Sequence, residues 1–181
     1  MNGESKCQRL IYDNYRGFAL KTVFRYIYRY EKADDVVTDG FVKAFNHFHQ
    51  FKIDEDENLE KLLMAWLKRI MINCAIDELR KNNMMPEIGG IQDKVWDITD
   101  RSDDADQLLL YKDLVVQIKE LQPNYRIVFN LYVLDGYTHS QIADMLNISV
   151  STSRSTLSRA KTILQNQIKQ TEEKNYAAYK S

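Results

Sequence analysis

Five side chains toward the C-terminal end have the types and spacing needed to read a nucleic acid. Thr152, Arg154, Ser155, Ser158 and Arg159 are interleaved with Val150, Ser153, Leu157, Ala160 and Leu164, which recur at i, i+3, i+7, i+10 and i+14. The second set can pack inward from a helix, leaving the hydroxyls and the two guanidinium groups outside. Arginine can bond bidentately to guanine, and short hydroxyls adapt to several bases, a chemistry suited to a helix in a major groove. The plain alternative is a solvated helix face. Ser and Thr are poor filler for such a face because both are weak helix formers.

Holding that row in a groove requires particular punctuation upstream, and the chain has it. Thr138-His139-Ser140-Gln141 reads as a capping box, with Thr138 capping and Gln141 reaching back. The short helix over 142–146 is expected to break at Asn147, a residue that tolerates positive φ. Ser149 then caps a long last helix, whose continuation over 165–181 is expected to fray. Before the box, Pro123 suits the first turn of a helix carrying Ile127, Val128, Leu131 and Tyr132, which Gly136 closes in a left-handed conformation. A preceding helix carries Leu110, Leu114, Val115 and Ile118 and ends near Leu121. Residues 138–164 therefore predict a helix-turn-helix.

Two more constellations lie in the first half. Arg69, Asn73, Asp77 and Arg80 fall at i, i+4, i+8 and i+11, one polar row on a helix whose Leu63, Trp66, Leu67, Ile70 and Cys74 are apolar. A solvent-facing stripe and a binding row both fit, although Asn mid-helix is unfavourable without a task. The residues alone leave that choice open. Upstream, Val37, Phe41, Ala44, Phe45 and Phe48 share one helix face, while Asp34, Asp35 and Asp39 crowd the first turns. Those acids either complement the helix dipole or offer an acidic surface to a basic partner. Periodicity does not choose between them.

Catalytic and metal-binding arrangements are missing. Cys7 and Cys74 are two isolated cysteines, and His47 and His49 stand two apart, pointing different ways if they share a helix. Neither a CxxC nor an HExxH spacing occurs, so no metal is expected and Cys74 reads as a small core residue. No Ser–His–Asp order, phosphate-binding loop or paired carboxylate stands out, and no cofactor is implied. The opening Met1-Asn2-Gly3-Glu4-Ser5-Lys6 has no apolar core, and no stretch is apolar for long enough to insert into a membrane. A cytoplasmic location is expected.

Charge and composition divide the chain. Residues 1–83 carry a net +1, residues 84–120 a net −5 and residues 121–181 a net +3. A protein that gripped DNA alone would be more basic, because phosphate neutralisation supplies most of the affinity. A larger partner is expected to hold the duplex. Residues 84–107 contain Pro86, Gly89-Gly90 and seven acidic against two basic side chains, the composition of a linker. Helical periodicity is common and strand alternation nearly absent, so the fold class is all-α. A three-helix domain is expected over 1–83, with helices at about 5–30, 33–50 and 59–82, and a four-helix domain over 108–181.

In this order and spacing the segments resemble the extracytoplasmic-function class of bacterial sigma factors. Leu10-Ile11-Tyr12-Asp13-Asn14-Tyr15 is similar to that family's opening helix, and Asp34-Asp35-Val36-Val37-Thr38-Asp39-Gly40-Phe41 to its region 2.2. Trp66-Leu67-Lys68-Arg69-Ile70 with Asn73, Asp77 and Arg80 resembles its promoter-reading helix. Leu121-Gln122-Pro123-Asn124-Tyr125-Arg126, Gly136-Tyr137-Thr138, Ile142-Ala143, Leu146 and Ser149 resemble region 4.

The resemblance implies a non-catalytic subunit that binds RNA polymerase core and directs promoter recognition and transcription initiation. Asp35, Asp39 and Phe41 would dock on the β′ clamp helices, and the second domain would meet the β flap. Arg69, Asn73 and Arg80 would meet the minus-ten element, and the loop over 51–60 would help trap an unpaired base. Thr152, Arg154, Ser155, Ser158 and Arg159 would contact the minus-thirty-five element of promoter DNA. The acidic linker would thread toward the RNA exit path, and an anti-sigma factor would regulate the whole. Two departures stand out. Gly40 replaces a larger residue, which is expected to loosen its helix by roughly 0.5–1 kcal/mol relative to Ala. Asp54-Glu55-Asp56-Glu57 is acidic for a loop near DNA.

Two rival readings exist. A stand-alone helix-turn-helix regulator explains 138–164 but leaves the first 83 residues unassigned. A small helical nuclease would have to draw its metal carboxylates from the 54–57 loop.

Overall fold

The computed structural model describes residues 2–52, 58–81 and 114–180, with side chains described over 5–52, 58–81, 114–171 and at 173. The expected linker, Leu110 and the acidic residues 54–57 lie outside the described residues. Described residues outside helices form turns and coil, with no strand among them. The chain divides into two compact units, Met1–Asp103 and Asp104–Ser181.

The first unit packs three helices, α1 (Asn2–Phe24), α2 (Tyr30–Asn46) and α3 (Leu59–Lys81), each against the other two. Its core is built from Leu20, Val23 and Phe24 of α1, Val37, Phe41 and Ala44 of α2, and Leu67, Met71, Ile72, Ile76 and Leu79 of α3, all nearly inaccessible. The first helix is expected over about 5–30, but α1 stops at Phe24. Tyr26, Ile27 and Tyr28 are all buried. Three consecutive side chains cannot lie on one helix face, so the chain turns there, with Tyr26 N–H and Ile27 N–H both donating to Val23 C=O.

The second helix begins at Tyr30, three residues early, and ends at Asn46. Its last turn tightens: His47 N–H bonds to both Lys43 C=O and Ala44 C=O, and a single 3-10 turn follows over Phe48–Gln50. Asn58 Oδ1 caps α3 by accepting from Glu60 N–H at 2.9 Å and Lys61 N–H at 3.2 Å. Cross-links between helices are ionic. Arg16 Nη2 meets Asp34 Oδ1 at 2.6 Å, and Lys32 Nζ meets Glu78 Oε1 at 2.9 Å.

Gly40 has a packing reason. A Cβ there would stand 2.5 Å from Met71 Sδ and 3.0 Å from its Cε, so a larger residue fits only if the end of the Met71 side chain gives way. The buried Met71 fills the space a side chain would need.

The second unit contains α4 (114–119), α5 (Pro123–Phe129) running into a π-turn over Asn130–Leu134, α6 (His139–Leu146) and α7 (Val150–Lys180). Each expected punctuation mark is found. Pro123 sits in the first turn of α5, Gly136 takes φ +76°, and Asn147 takes φ 53°. Thr138 and Gln141 close a full capping box, and Thr152 N–H donates to Ser149 Oγ at 2.9 Å. Val115, Ile118, Leu121, Ile127, Val128, Leu131, Ile142, Leu157, Ala160 and Leu164 form the core. Arg126 is buried among them, and its Nη1 donates to Lys119 C=O at 2.6 Å, tying α5 to the end of α4. Two expected core members are outside. Val150 is exposed at the very start of α7, and Tyr132 is exposed because the π-turn interrupts the α-helical rhythm of α5.

Candidate functional site

The outer face of α7 carries Thr152, Arg154, Ser155, Ser158 and Arg159, all exposed, as the spacing requires. On the opposite side Ser153, Leu157, Ala160 and Leu164 are buried. The hydroxyls are partly occupied within the helix: Ser155 Oγ donates to Thr152 C=O at 3.1 Å, and Thr152 Oγ1 lies 2.8 Å from Ser149 Oγ. Thr152 thus helps close the N-terminus of α7, while Arg154 and Arg159 extend outward as cations. The αL residue Asn147 and the Ser149 cap join α6 to α7, the short connection on which a helix-turn-helix depends.

Sequence reasoning missed His139 at this end of the unit. Its Nδ1 lies 2.9 Å from the Oγ of buried Ser153, and its ring stacks on Tyr132 with centroids 4.5 Å apart and planes 25° from parallel. Lys161 Nζ stands 5.9 Å from the Tyr132 centroid. Partial burial, then the charges of Arg154 and Lys161, hold the His139 imidazole below its ordinary pKa. The sequence signalled only the need, since Ser153 is a polar residue on an inward face and must find a partner; it did not say which.

In the first unit, Arg69, Asn73, Asp77 and Arg80 are all exposed on one side of α3. Asp77 Oδ1 meets Arg80 Nη1 at 3.4 Å, and its Oδ2 meets Lys43 Nζ of α2 at 3.8 Å. Exposed pairs of this kind are worth little. Beneath the row Cys74 is buried, and desolvation pushes its thiol up from the ordinary range. At the end of α2, Phe48, Phe51 and Trp66 form an aromatic cluster, with Phe51 and Trp66 centroids 5.3 Å apart and Phe48 edge-on to Trp66 at 5.8 Å. His47 and His49 do not share a helix, and their rings stack at 6.3 Å instead of diverging. No group of three or more His, Cys, Asp and Glu able to hold a metal occurs among the described residues.

The acidic face of α2 needs one correction. Asp35 and Asp39 are exposed, but Phe41 is only 1% exposed, its ring packed edge-on against Tyr12 at 4.9 Å. A side chain so placed cannot meet a partner. Phe41 belongs to the core, as its i, i+4 relation to Val37 and Phe45 had indicated. Val42, 54% exposed and seven residues after Asp35, is the apolar side chain on the Asp35–Asp39 side. Asp34 is bound to Arg16 and serves the fold.

No described helix is long and apolar enough to cross a membrane. The family model for Sigma-70 region 2 matches residues 11–84, and that for Sigma-70 region 4 matches residues 111–164. The chain is 25% identical over 169 residues to the ECF RNA polymerase sigma factor SigW of Bacillus subtilis (strain 168), covering 88% of this chain and 87% of that one. It is 25% identical over 176 residues to the ECF RNA polymerase sigma-E factor of Escherichia coli (strain K12), covering 92% and 88%. Among solved structures, the sigma factor RpoE from Bartonella quintana, crystallised with the anti-sigma factor NepR, has the same fold. Its TM-score is 0.53 at 22% identity, covering 84% of this chain and 91% of that one. The region 2 match also accounts for the N-terminal unit that a stand-alone helix-turn-helix regulator leaves unexplained. With both of its helical units matched in order, the chain belongs to the extracytoplasmic-function (ECF) sigma factors, non-catalytic subunits that direct RNA polymerase core to promoters and initiate transcription.

Proposed function

We propose that the two units divide a promoter between them, with residues 1–83 meeting polymerase and the minus-ten element and residues 108–181 meeting the minus-thirty-five element. The observation that carries this reading is the exposed Arg154–Arg159 row on a helix fixed by a capped turn. Thr152, Arg154, Ser155, Ser158 and Arg159 face the minus-thirty-five major groove, with Arg154 reading a base edge. On α3, Arg69, Asn73 and Arg80 contact the minus-ten element, and the Phe48–Phe51–Trp66 cluster offers aromatic faces to unpaired bases.

Docking on the β′ clamp helices falls to Asp35, Asp39 and Val42, a small acidic and apolar face. Val116 and Val133, both exposed, offer apolar area to the β flap. Residues 84–107 act as an acidic tether. A sigma factor of the same fold is held by an anti-sigma factor, and we extend that class of partner to this chain. Its place of action is the cytoplasm, with the polymerase.

Paired variants test the docking face. Asp39→Arg should abolish co-purification with core polymerase and leave the thermal unfolding midpoint within about 2 °C, because surface changes cost little. Phe41→Ala should instead destabilise the chain by about 3–5 kcal/mol. Normal co-purification of Asp39→Arg contradicts the assignment.

A further inference from the structure

We propose that His139 is a positioning residue for promoter reading: through Ser153 it sets the pose of α7, and so governs how sharply Arg154 discriminates the minus-thirty-five sequence. The proposal rests on the reading of α7 given above. Leu157, Ala160 and Leu164 hold α7 by apolar contact alone, which resists separation better than it resists small rotation or sliding. Ser153 is different. It is fully buried, and its Oγ is 2.9 Å from His139 Nδ1 at the first residue of α6. This part-buried side-chain bond joins the two helices of the helix-turn-helix, and satisfying the buried Ser153 hydroxyl specifies one arrangement where apolar surfaces tolerate several.

The imidazole is itself held. It lies stacked on Tyr132, which the π-turn at the end of α5 presents, and Lys161 of α7 lies near the same phenol ring. The His139 ring is therefore held by Tyr132 of the π-turn and Ser153 of α7. Arg154 follows Ser153 directly and lines the same cleft as His139, Thr138 and Val150. On a rigid helix, any shift of Ser153 is passed to Arg154 with little attenuation. Bidentate recognition of a base edge tolerates little displacement, so a small change of pose reduces discrimination before it reduces binding.

The experiment uses holoenzyme assembled from the full chain and core polymerase. One template is a promoter selected from a random-sequence library by the wild-type holoenzyme; the other is the same promoter with its minus-thirty-five hexamer scrambled. His139→Ala should lower the ratio of initiation on the two templates about fivefold or more, with initiation on the scrambled template changed less than twofold. His139→Asn keeps a polar atom near the Nδ1 position and should recover most of that ratio. Ser153→Ala should reproduce the loss, and combining it with His139→Ala should add nothing. An unchanged ratio in His139→Ala, an equal loss on both templates, or additive losses in the double variant would each overturn the proposal. A wild-type ratio near one would instead sink the reading of α7 on which it stands.

Discussion

Phe41 and Val42 show how much one residue of rotation decides. The resemblance to sigma factors placed Phe41 on the polymerase-facing surface, whereas its spacing from Val37 and Phe45 placed it inside; the structure agrees with the spacing. A neighbouring side chain on a helix lies about 100° away, so a motif carried over from a family marks a segment more reliably than a face. His139 was not legible for a different reason. Its partner Ser153 is 14 residues distant, and no local period links the first residue of one helix to the buried row of the next. Its environment has a consequence for stability. The imidazole pKa is lowered in the folded chain, so below about pH 6.5 the unfolded chain takes up the proton first. The His139 contribution is then complete above that range and is lost as pH falls toward the folded-state value. In urea unfolding between pH 7.5 and 5, wild type should lose more stability than His139→Asn. Identical slopes for the two proteins contradict this.

Helix ends divide into those that short-range chemistry decides and those that packing decides. The capping box at Thr138, the αL residue Asn147, the Ser149 cap and Pro123 all act within four residues, and all were readable as sequence. The end of α1 was not, because three buried residues after Phe24 are accommodated by tertiary contacts and not by helix propensity. Nor was the π-turn that exposes Tyr132. Gly40 shows the same division within a helix: by propensity alone it costs roughly 1 kcal/mol relative to Ala, yet a Cβ there would have to displace the buried end of Met71. Overpacking at such a site costs about 1–3 kcal/mol, more than the propensity gain. Gly40→Ala should therefore destabilise the chain slightly, by up to about 2 kcal/mol, whereas in a Met71→Ala background the same change should stabilise it by roughly 0.5–1 kcal/mol. A stabilising Gly40→Ala in the wild-type background, followed by thermal or urea unfolding, contradicts a costly displacement of Met71.

At the scale of the molecule, charge is the informative quantity. The net charge of the chain is −1, with the C-terminal part +3 and the middle −5, too little positive charge to hold DNA by phosphate neutralisation alone. On the proposed reading, each unit turns a short exposed row to DNA: two arginines and three hydroxyls on α7, two arginines and an asparagine on α3. Sequence discrimination without much intrinsic affinity is useful only when a larger enzyme supplies the grip, as RNA polymerase core does for the family to which this chain belongs. The most direct measurement is transcription in vitro by core polymerase on a fragment library of the host genome, with 5′ ends mapped with and without the purified chain. Its presence should create a discrete set of new start sites that share two upstream sequence elements, and the Arg154→Ala variant should blur the one farther from the start. The same start sites with and without the chain would contradict the account.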